Sequence, residues 1–200
     1  MRGKAFFSLF LLSALFIPRP VARPASLPGM FKSIQTGTIA IETSTTATIT
    51  AVDTAYSAVV FQGCSIDEAS VTLQYYATAR FVLTNSTTVT GTRASSAQAV
   101  ICAYTVVEFW PAMVKTRQTG TVAMSTAEAS DTATLSTAVT TSTSQLYFGG
   151  CETGADSGSG SRMTEVFGRT ILTNTTTVTA NRGATDDTTM DCSFTVIESY

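Results

Sequence analysis

Apolar residues alternate with threonine along much of the chain. The segments Thr38–Ile41, Thr46–Val52 and Phe81–Thr92 have this two-residue period, which is typical of β-strands with one face buried and the other in water. Threonine suits such strands because it is β-branched and its hydroxyl stays solvated on the open face. Two further segments, Tyr56–Phe61 and Ala99–Phe109, are apolar almost throughout, which is typical of strands covered on both faces.

Turn-forming residues separate these segments. Thr84–Ser86 and Gly149–Gly150 are of this kind, and the sequons that begin at Asn85 and Asn174 each predict a turn followed by a strand. After residue 30 no stretch has the apolar stripe of a helix. The pattern predicts an all-β fold with roughly five to seven short strands per 80 residues, arranged as an antiparallel β-sandwich or a jelly-roll-like module.

The strongest signal in the sequence is an internal repeat. A first repeat (residues 30–110) matches a second repeat (residues 111–200) in four separate blocks, and the offset between matched residues drifts from 83 to 90. Insertions therefore fall between the blocks, as loop insertions on a shared scaffold do. The blocks are Met30–Ile41 with Met113–Met124, Phe61–Cys64 with Phe148–Cys151, Leu83–Thr90 with Leu172–Thr179, and Cys102–Glu108 with Cys192–Glu198.

A short apolar leader, residues 1–29, precedes the first repeat. Met1–Lys4 carries two positive charges and Ala5–Ile17 is an apolar run of 13 residues, shorter than the roughly 20 that span a bilayer. This arrangement is typical of a secretory signal peptide, and we expect no membrane span in the mature protein. The alternative is an upstream extension, because Met30 opens the first repeat as Met113 opens the second.

Composition excludes several classes of function. The chain has 38 threonines among 200 residues, 13% charged residues and no histidine. The lack of histidine excludes Ser-His-Asp and Cys-His catalysis and His-ligated zinc. A net charge of -2 and a pI near 5.1 argue against a protein that binds the phosphates of nucleic acid. We therefore expect neither an enzyme, nor a cofactor, nor a nucleic-acid partner.

Each repeat contains one pair of cysteines at equivalent positions, Cys64 with Cys102 and Cys151 with Cys192. In an oxidising compartment we expect a disulfide within each repeat, closing a loop of about 40 residues and contributing about 3–4 kcal/mol. One alternative is that the thiols are buried as small apolar groups. A metal site is a further alternative, although the spacing lacks a CxxC pair.

Three aromatic residues are candidates for binding a sugar. Tyr75 and Tyr76 lie in a segment, Ser65–Arg80, where the two repeats diverge most, and Trp110 lies at the junction of the repeats. Adjacent tyrosines on a strand face opposite sides, so one of them would belong to the core. For Trp110 the alternative is packing between the repeats.

Acidic residues are sparse, and we interpret their groups as solvated turn residues. For the second and third groups named below, which lie in Gly- and Thr-rich loops, the alternative is Ca²⁺ binding through their oxygens. The three groups are Asp67–Glu68, Glu152 with Asp156, and Asp186–Asp187 with Asp191.

Four motifs carry a resemblance to a known class of protein. They are KSIQTGTIAI, AVDTAYSAVVF, LTNSTTVTGTR and YTVVEF, all in the first repeat and echoed in the second. With them the chain resembles small β-rich modules of bacteriophage and prophage structural proteins across residues 30–200. The resemblance implies a non-enzymatic fibre or decoration component of a virion, often oligomeric. A fainter resemblance is to H-type lectin sandwiches, which trimerise and bind sugars.

Together these observations predict two tandem antiparallel β-sandwich modules, residues 30–110 and 111–200, behind the leader 1–29. We expect a structural protein of a virion surface or of the extracellular space, with further copies of itself or neighbouring structural subunits as partners. The alternatives are a secreted lectin-like adhesin that binds a cell-surface glycan, and a subunit of an extracellular filament in which Val21–Pro28 serves as an arm that reaches a neighbour.

Overall fold

The computed structural model describes residues 29–65, 78–93, 100–154, 167–185 and 188–200. These residues form an all-β structure, as the alternating pattern predicts. The strands of the first repeat are β1 (Phe31–Ile41), β2 (Ser44–Thr48), β3 (Ser57–Ser65), β4 (Ala79–Asn85), β5 (Thr88–Thr92) and β6 (Val100–Phe109). Those of the second repeat are β7 (Val114–Met124), β8 (Ser130–Thr134), β9 (Ser144–Thr153), β10 (Gly168–Leu172), β11 (Thr177–Arg182) and β12 (Met190–Ser199).

Equivalent strands pair in the same way in the two repeats, and every pairing is antiparallel. In the first repeat, β1-β6-β3 form one sheet and β2-β5-β4 are hydrogen-bonded neighbours. The second repeat has the same two arrangements, β7-β12-β9 and β8-β11-β10. One sheet extends across both repeats, because β4 also pairs with β9. This pairing joins three strands of each repeat into a six-stranded sheet, β2-β5-β4-β9-β12-β7.

Each repeat has its own apolar core, built from the inward residues of its strands. In the first repeat Phe81 of β4 and Val89 of β5 pack on Val106 of β6, and in the second Val178 of β11 packs on Val196 of β12. The exposed positions of β2 and β8 are Ser and Thr, which explains the period of two in these segments of the sequence. Thr46 of β2 is one of these exposed residues.

The predicted segment Phe81–Thr92 is not one strand but a tight hairpin of β4 and β5. Its turn includes the predicted Asn85, whose Oδ1 accepts a hydrogen bond from the Thr87 backbone N–H at 2.9 Å. The equivalent Asn174 accepts from the Thr176 N–H at 2.8 Å. Both asparagines thus stabilise a turn through their own side chains, as Asx turns do.

Strand β6 is covered on both faces along only part of its length. Val106 faces the core of the first repeat, whereas Val107 and Phe109 pack in a separate cluster with Val114 and Ile197 of the second repeat. At the other end of the strand Ile101 is 54% exposed. The apolar run of the sequence therefore reflects contact with the other repeat at one end of the strand.

A buried glutamate closes one end of each repeat. Glu108 accepts hydrogen bonds from Lys32 Nζ at 2.8 Å, Ser33 Oγ at 3.0 Å and the Asp53 backbone N–H at 2.9 Å. Glu198 occupies the equivalent position and accepts from Lys115 Nζ at 2.9 Å. Each carboxylate therefore ties the first strand of its repeat to the last.

Candidate functional site

The four cysteines form the two disulfides that the sequence predicts, Cys64–Cys102 and Cys151–Cys192. In each repeat the bonded residues lie directly opposite one another on neighbouring antiparallel strands, β3 with β6 and β9 with β12. The described residues contain no free cysteine. The disulfides are thus cross-strand links inside each core and do not connect the repeats.

Of the candidate sugar-binding aromatics, Tyr75 and Tyr76 lie outside the described residues. Trp110 lies between β6 and β7, immediately before a single 3-10 turn, Pro111–Met113, and its side chain is 44% exposed. Only Trp110–Met113 lies between β6 and β7.

Strands β4 and β9 pair with each other across the two repeats. Ala79 pairs with Cys151 and Arg80 with Gly150, and the Ser193 hydroxyl of β12 donates to the Phe81 carbonyl at 2.9 Å. The edge of the first repeat is thereby extended into a sheet of the second by backbone and side-chain hydrogen bonds.

Two glycines make this close approach possible. Gly149 and Gly150, predicted as a turn, lie instead inside β9 at an irregularity of its pairing with β12. A Cβ on Gly149 would lie 2.8 Å from the Phe81 carbonyl oxygen, and one on Gly150 would collide with the Ala79 carbonyl. Gly150 also has a φ of +96°, which L side chains rarely adopt.

Charged groups lie beside the paired strands. Arg80 Nη2 is 2.9 Å from Glu152 Oε1, and its Nη1 donates to Thr121 Oγ1 at 3.3 Å. Burial raises the pKa of Asp191, while Arg80 lowers it and Glu152 raises it. Glu152 and Asp191 are therefore part of the contact between the repeats, and their interpretation as solvated turn residues is wrong.

On the far side of the same contact, Arg117 of β7 donates through Nε to the Ser57 carbonyl of β3. Burial lowers the pKa of Arg117. Tyr147 of β9 stacks edge-on against Phe109 of β6, with ring centroids 5.6 Å apart, and burial raises the pKa of its hydroxyl. Aromatic and polar contacts thus flank the strand pairing.

A cleft of about 670 Å³ remains open along this contact, within the usual size range of ligand-binding pockets. Its wall is rich in hydroxyl groups and contains one guanidinium and one amide. It is lined by Thr54, Val59, Phe81–Ser86, Arg117, Thr119, Gly120, Thr121, Gly149, Ser193, Phe194 and Thr195.

The contact uses different surfaces of the two repeats. The first repeat contributes the β3 and β4 edges, and the second contributes the β9 edge with the outer face of β12. Such a contact between unlike surfaces of similar units is called heterologous.

The sequence did not lead to a prediction of this contact, because equivalent residues of the two repeats were expected to have the same surroundings. A signal was present in the differences between the repeats. Gly149, Glu152, Ser193 and Arg117 of the contact stand where the first repeat has Gln62, Ser65, Ala103 and Ile34.

Comparison with known proteins finds no matching family model, no matching curated protein and no matching solved structure. Within the described ranges, no group of three or more His, Cys, Asp or Glu residues could hold a metal ion. In that same part of the chain, no helix has the length and apolar character of a membrane span.

Proposed function

We propose that this chain is a non-enzymatic structural protein that assembles on a virion surface or in the extracellular space. The observation that carries the proposal is the joining of the two repeats through strand edges, β4 on β9. One copy of the repeat here serves as the docking partner of another. Edge strands that accept a further strand are a common means of assembly.

The outer faces of the short-stranded halves also support a structural role. In the first repeat Thr46 lies opposite Thr90 and Thr48 opposite Thr88, and in the second Thr132 lies opposite Thr179. Rows of paired hydroxyls carry no charge, so packing them against a neighbour requires little charge desolvation. Such faces suit a protein that is packed densely in an assembly.

The disulfides support a place outside the reducing cytosol, since disulfides persist mainly in oxidising compartments. Both lie inside a small core that a cross-link stabilises. The resemblance to phage structural modules and the apolar leader are compatible with this location.

The first test is to fractionate the native producer by sedimentation and to measure the intact mass of the protein with thiol labelling. We expect the chain in the fraction of virions or of extracellular assemblies, with no thiol labelled before reduction. A free cytosolic chain with labelled thiols, absent from every large particle, would contradict the proposal.

A second candidate function is glycan binding, and the hydroxyl-rich cleft favours it. Sugars are recognised by hydroxyl, amide and guanidinium groups of the kind that line this cleft. A glycan array with the full chain would test it, together with a Thr119→Trp variant that fills the cleft. We expect binding that this variant abolishes and that Thr132→Trp, on an exposed strand face, leaves intact. No binding on the array would exclude the lectin-like function for the glycans displayed.

A further inference from the structure

The heterologous contact joins one surface of the first repeat to a different surface of the second. Each repeat has both kinds of surface, so one surface of each kind lies largely outside the contact. The second repeat presents the outer face of β7, β12 and β9 to the first. The equivalent face of β1, β6 and β3 is covered by the second repeat at Val107 and is open from Ile101 to Thr105. We call this open part the head surface. It contains Ile34, Thr36, Thr38, Ile101, Ala103 and Thr105.

The first repeat presents its β3 and β4 edges to the second. Of the equivalent strands, β9 is engaged with the first repeat from Tyr147 to Glu152, whereas the edge of β10 that faces away from β11 pairs with no other described strand. We call this second free region the tail surface. It contains Gly168, Arg169 and Ile171 of β10 and Phe167, the residue before it.

Equivalent residues of the two repeats differ in burial, according to whether their surface lies in the internal contact. Ser193 and Thr195 are buried, whereas the equivalent Ala103 and Thr105 of the head surface are only half-buried. A shallow pocket of about 410 Å³ lies on the head surface. The residues lining it, which are Thr36, Gly37, Thr38, Gln62, Ala103, Tyr104 and Thr105, match one for one the cleft residues Thr119, Gly120, Thr121, Gly149, Ser193, Phe194 and Thr195.

The tail surface shows the same relation. Arg80 on β4 is half-buried beside Glu152 of the second repeat, and the equivalent Arg169 of β10 is exposed. A second shallow pocket, about 390 Å³ in volume, lies at Phe167–Arg169. The β10 edge therefore stands open where the β4 edge is occupied.

At three positions the free surfaces have a large apolar residue where the internal contact has a polar one. The head surface has Ile34, 56% exposed, in the place of Arg117, and Ile101, 54% exposed, in the place of Asp191. On the tail surface Phe167 is 50% exposed where β4 is preceded by Thr78. Polar residues of the internal contact are thus replaced on both free surfaces by large apolar residues, which favour burial against a partner.

We propose that the tail surface of one copy docks on the head surface of another copy of the same chain. The internal contact is the template for this docking, and apolar contacts take the place of its ion pair. The docking deepens the proposed function and rests on it. A heterologous contact repeats from copy to copy, so it produces either a closed ring or a filament.

The proposed docking differs from the internal contact at one residue of the head surface. Gln62 stands where Gly149 admits the Phe81 carbonyl, so β10 cannot approach β3 as closely as β4 approaches β9. The docking therefore relies on the apolar side chains more than on strand pairing. Gln62→Gly removes the obstacle and should strengthen association.

The test uses sedimentation of the full chain over a range of concentrations. Ile34→Asp places a charge on the head surface only, and Phe167→Asp places one on the tail surface only. Thr46→Asp, on a strand face exposed in both repeats, is the matched control. We expect wild-type protein and the control to form species larger than dimers, and each single variant to be monomeric.

The decisive sample is an equimolar mixture of Ile34→Asp and Phe167→Asp. The Ile34→Asp chain retains an intact tail surface, and the Phe167→Asp chain retains an intact head surface. We expect dimers in the mixture and nothing larger. Monomers in the mixture, or single variants that assemble like wild type, would overturn the docking. Wild-type protein that is monomeric at every concentration would overturn it too, whereas the proposed function fails only if the native chain is absent from particles.

Discussion

Glu108 and Glu198 are buried carboxylates whose ionised form the fold favours. Burial by itself raises the pKa of Glu108, but hydrogen bonds from Lys32, the Asp53 backbone and Ser33 bring it below its ordinary value of 4.5. For Glu198 the hydrogen bond from Lys115 is the largest cause, and it lowers the pKa against the opposing effect of burial. Because the folded-state pKa lies below the unfolded-state value, ionisation stabilises the native state above about pH 4.5, and this stabilisation is lost as the pH falls further.

We expect Glu108→Gln to reduce the free energy of unfolding by about 2 kcal/mol at pH 7, since the carboxylate accepts hydrogen bonds from a charged and two neutral donors. The difference from wild type should narrow as the pH falls below 4.5. Urea unfolding between pH 7 and pH 3 measures it. Glu42→Gln, at an exposed glutamate, is the control. A difference that stayed constant with pH would contradict the role of ionisation.

Gly150 and Gly63 are equivalent glycines with different surroundings. Both have positive φ, +96° and +116°, so alanine strains the backbone at either position by about 1–2 kcal/mol. A Cβ on Gly150 would also collide with the Ala79 carbonyl, whereas a Cβ on Gly63 meets nothing within 4 Å. We expect Gly150→Ala to be the more destabilising by at least about 1 kcal/mol in thermal or urea unfolding. Equal losses would mean that β4 does not pack on β9 in solution.

At the scale of elements, the disulfides are the constraint that sequence reasoning predicted best. They link residues 38 and 41 positions apart, and the chain-entropy estimate for loops of this length is about 4 kcal/mol each. We expect Cys64→Ser/Cys102→Ser to lower the free energy of unfolding by about this amount. The matched variant Cys151→Ser/Cys192→Ser should show a similar loss under the same non-reducing conditions. A loss below about 1 kcal/mol in both would refute the estimate.

Strands such as β1, β2 and β8 followed from the alternation of apolar residues with polar ones, because one face of each is more exposed than the other. The repeat predicted that β1–β6 and β7–β12 would have the same order. The partners of β4 and β9 could not be predicted in this way, since they depend on which copy of a surface is used. For that reason Glu152 and Asp191 were interpreted from their neighbours in sequence, and their partner Arg80 lies 72 and 111 positions away.

At the scale of the whole molecule, the two repeats are held together by polar contacts at one side and an apolar cluster at the other. Arg80 and Glu152 form a partly buried ion pair, 21% and 16% exposed. Removing Arg80 leaves Glu152 beside Asp191, two carboxylates without a cation. The equivalent Arg169 of β10 is exposed.

We therefore expect Arg80→Ala to destabilise the chain by about 1–2 kcal/mol at pH 7. The loss should be smaller at pH 4, because burial raises the pKa of the neighbouring Asp191 and a larger share of that carboxyl is then protonated. Arg169→Ala should change stability by less than about 0.5 kcal/mol when unfolding is measured at concentrations low enough to keep the chain monomeric. Identical effects of the two substitutions would show that the ion pair contributes nothing to the contact between the repeats.

Because the contact is heterologous, sequence identity between the repeats does not mean equal tolerance of change. Position 149 lies against the carbonyl of a neighbouring strand, and position 62, its counterpart, faces solvent. In a library that substitutes every residue, folding alone should restrict position 149 to glycine and accept most residues at position 62. Equivalent positions of the two repeats thus differ in the substitutions they tolerate, and the first repeat can vary in sequence at a position where the second cannot.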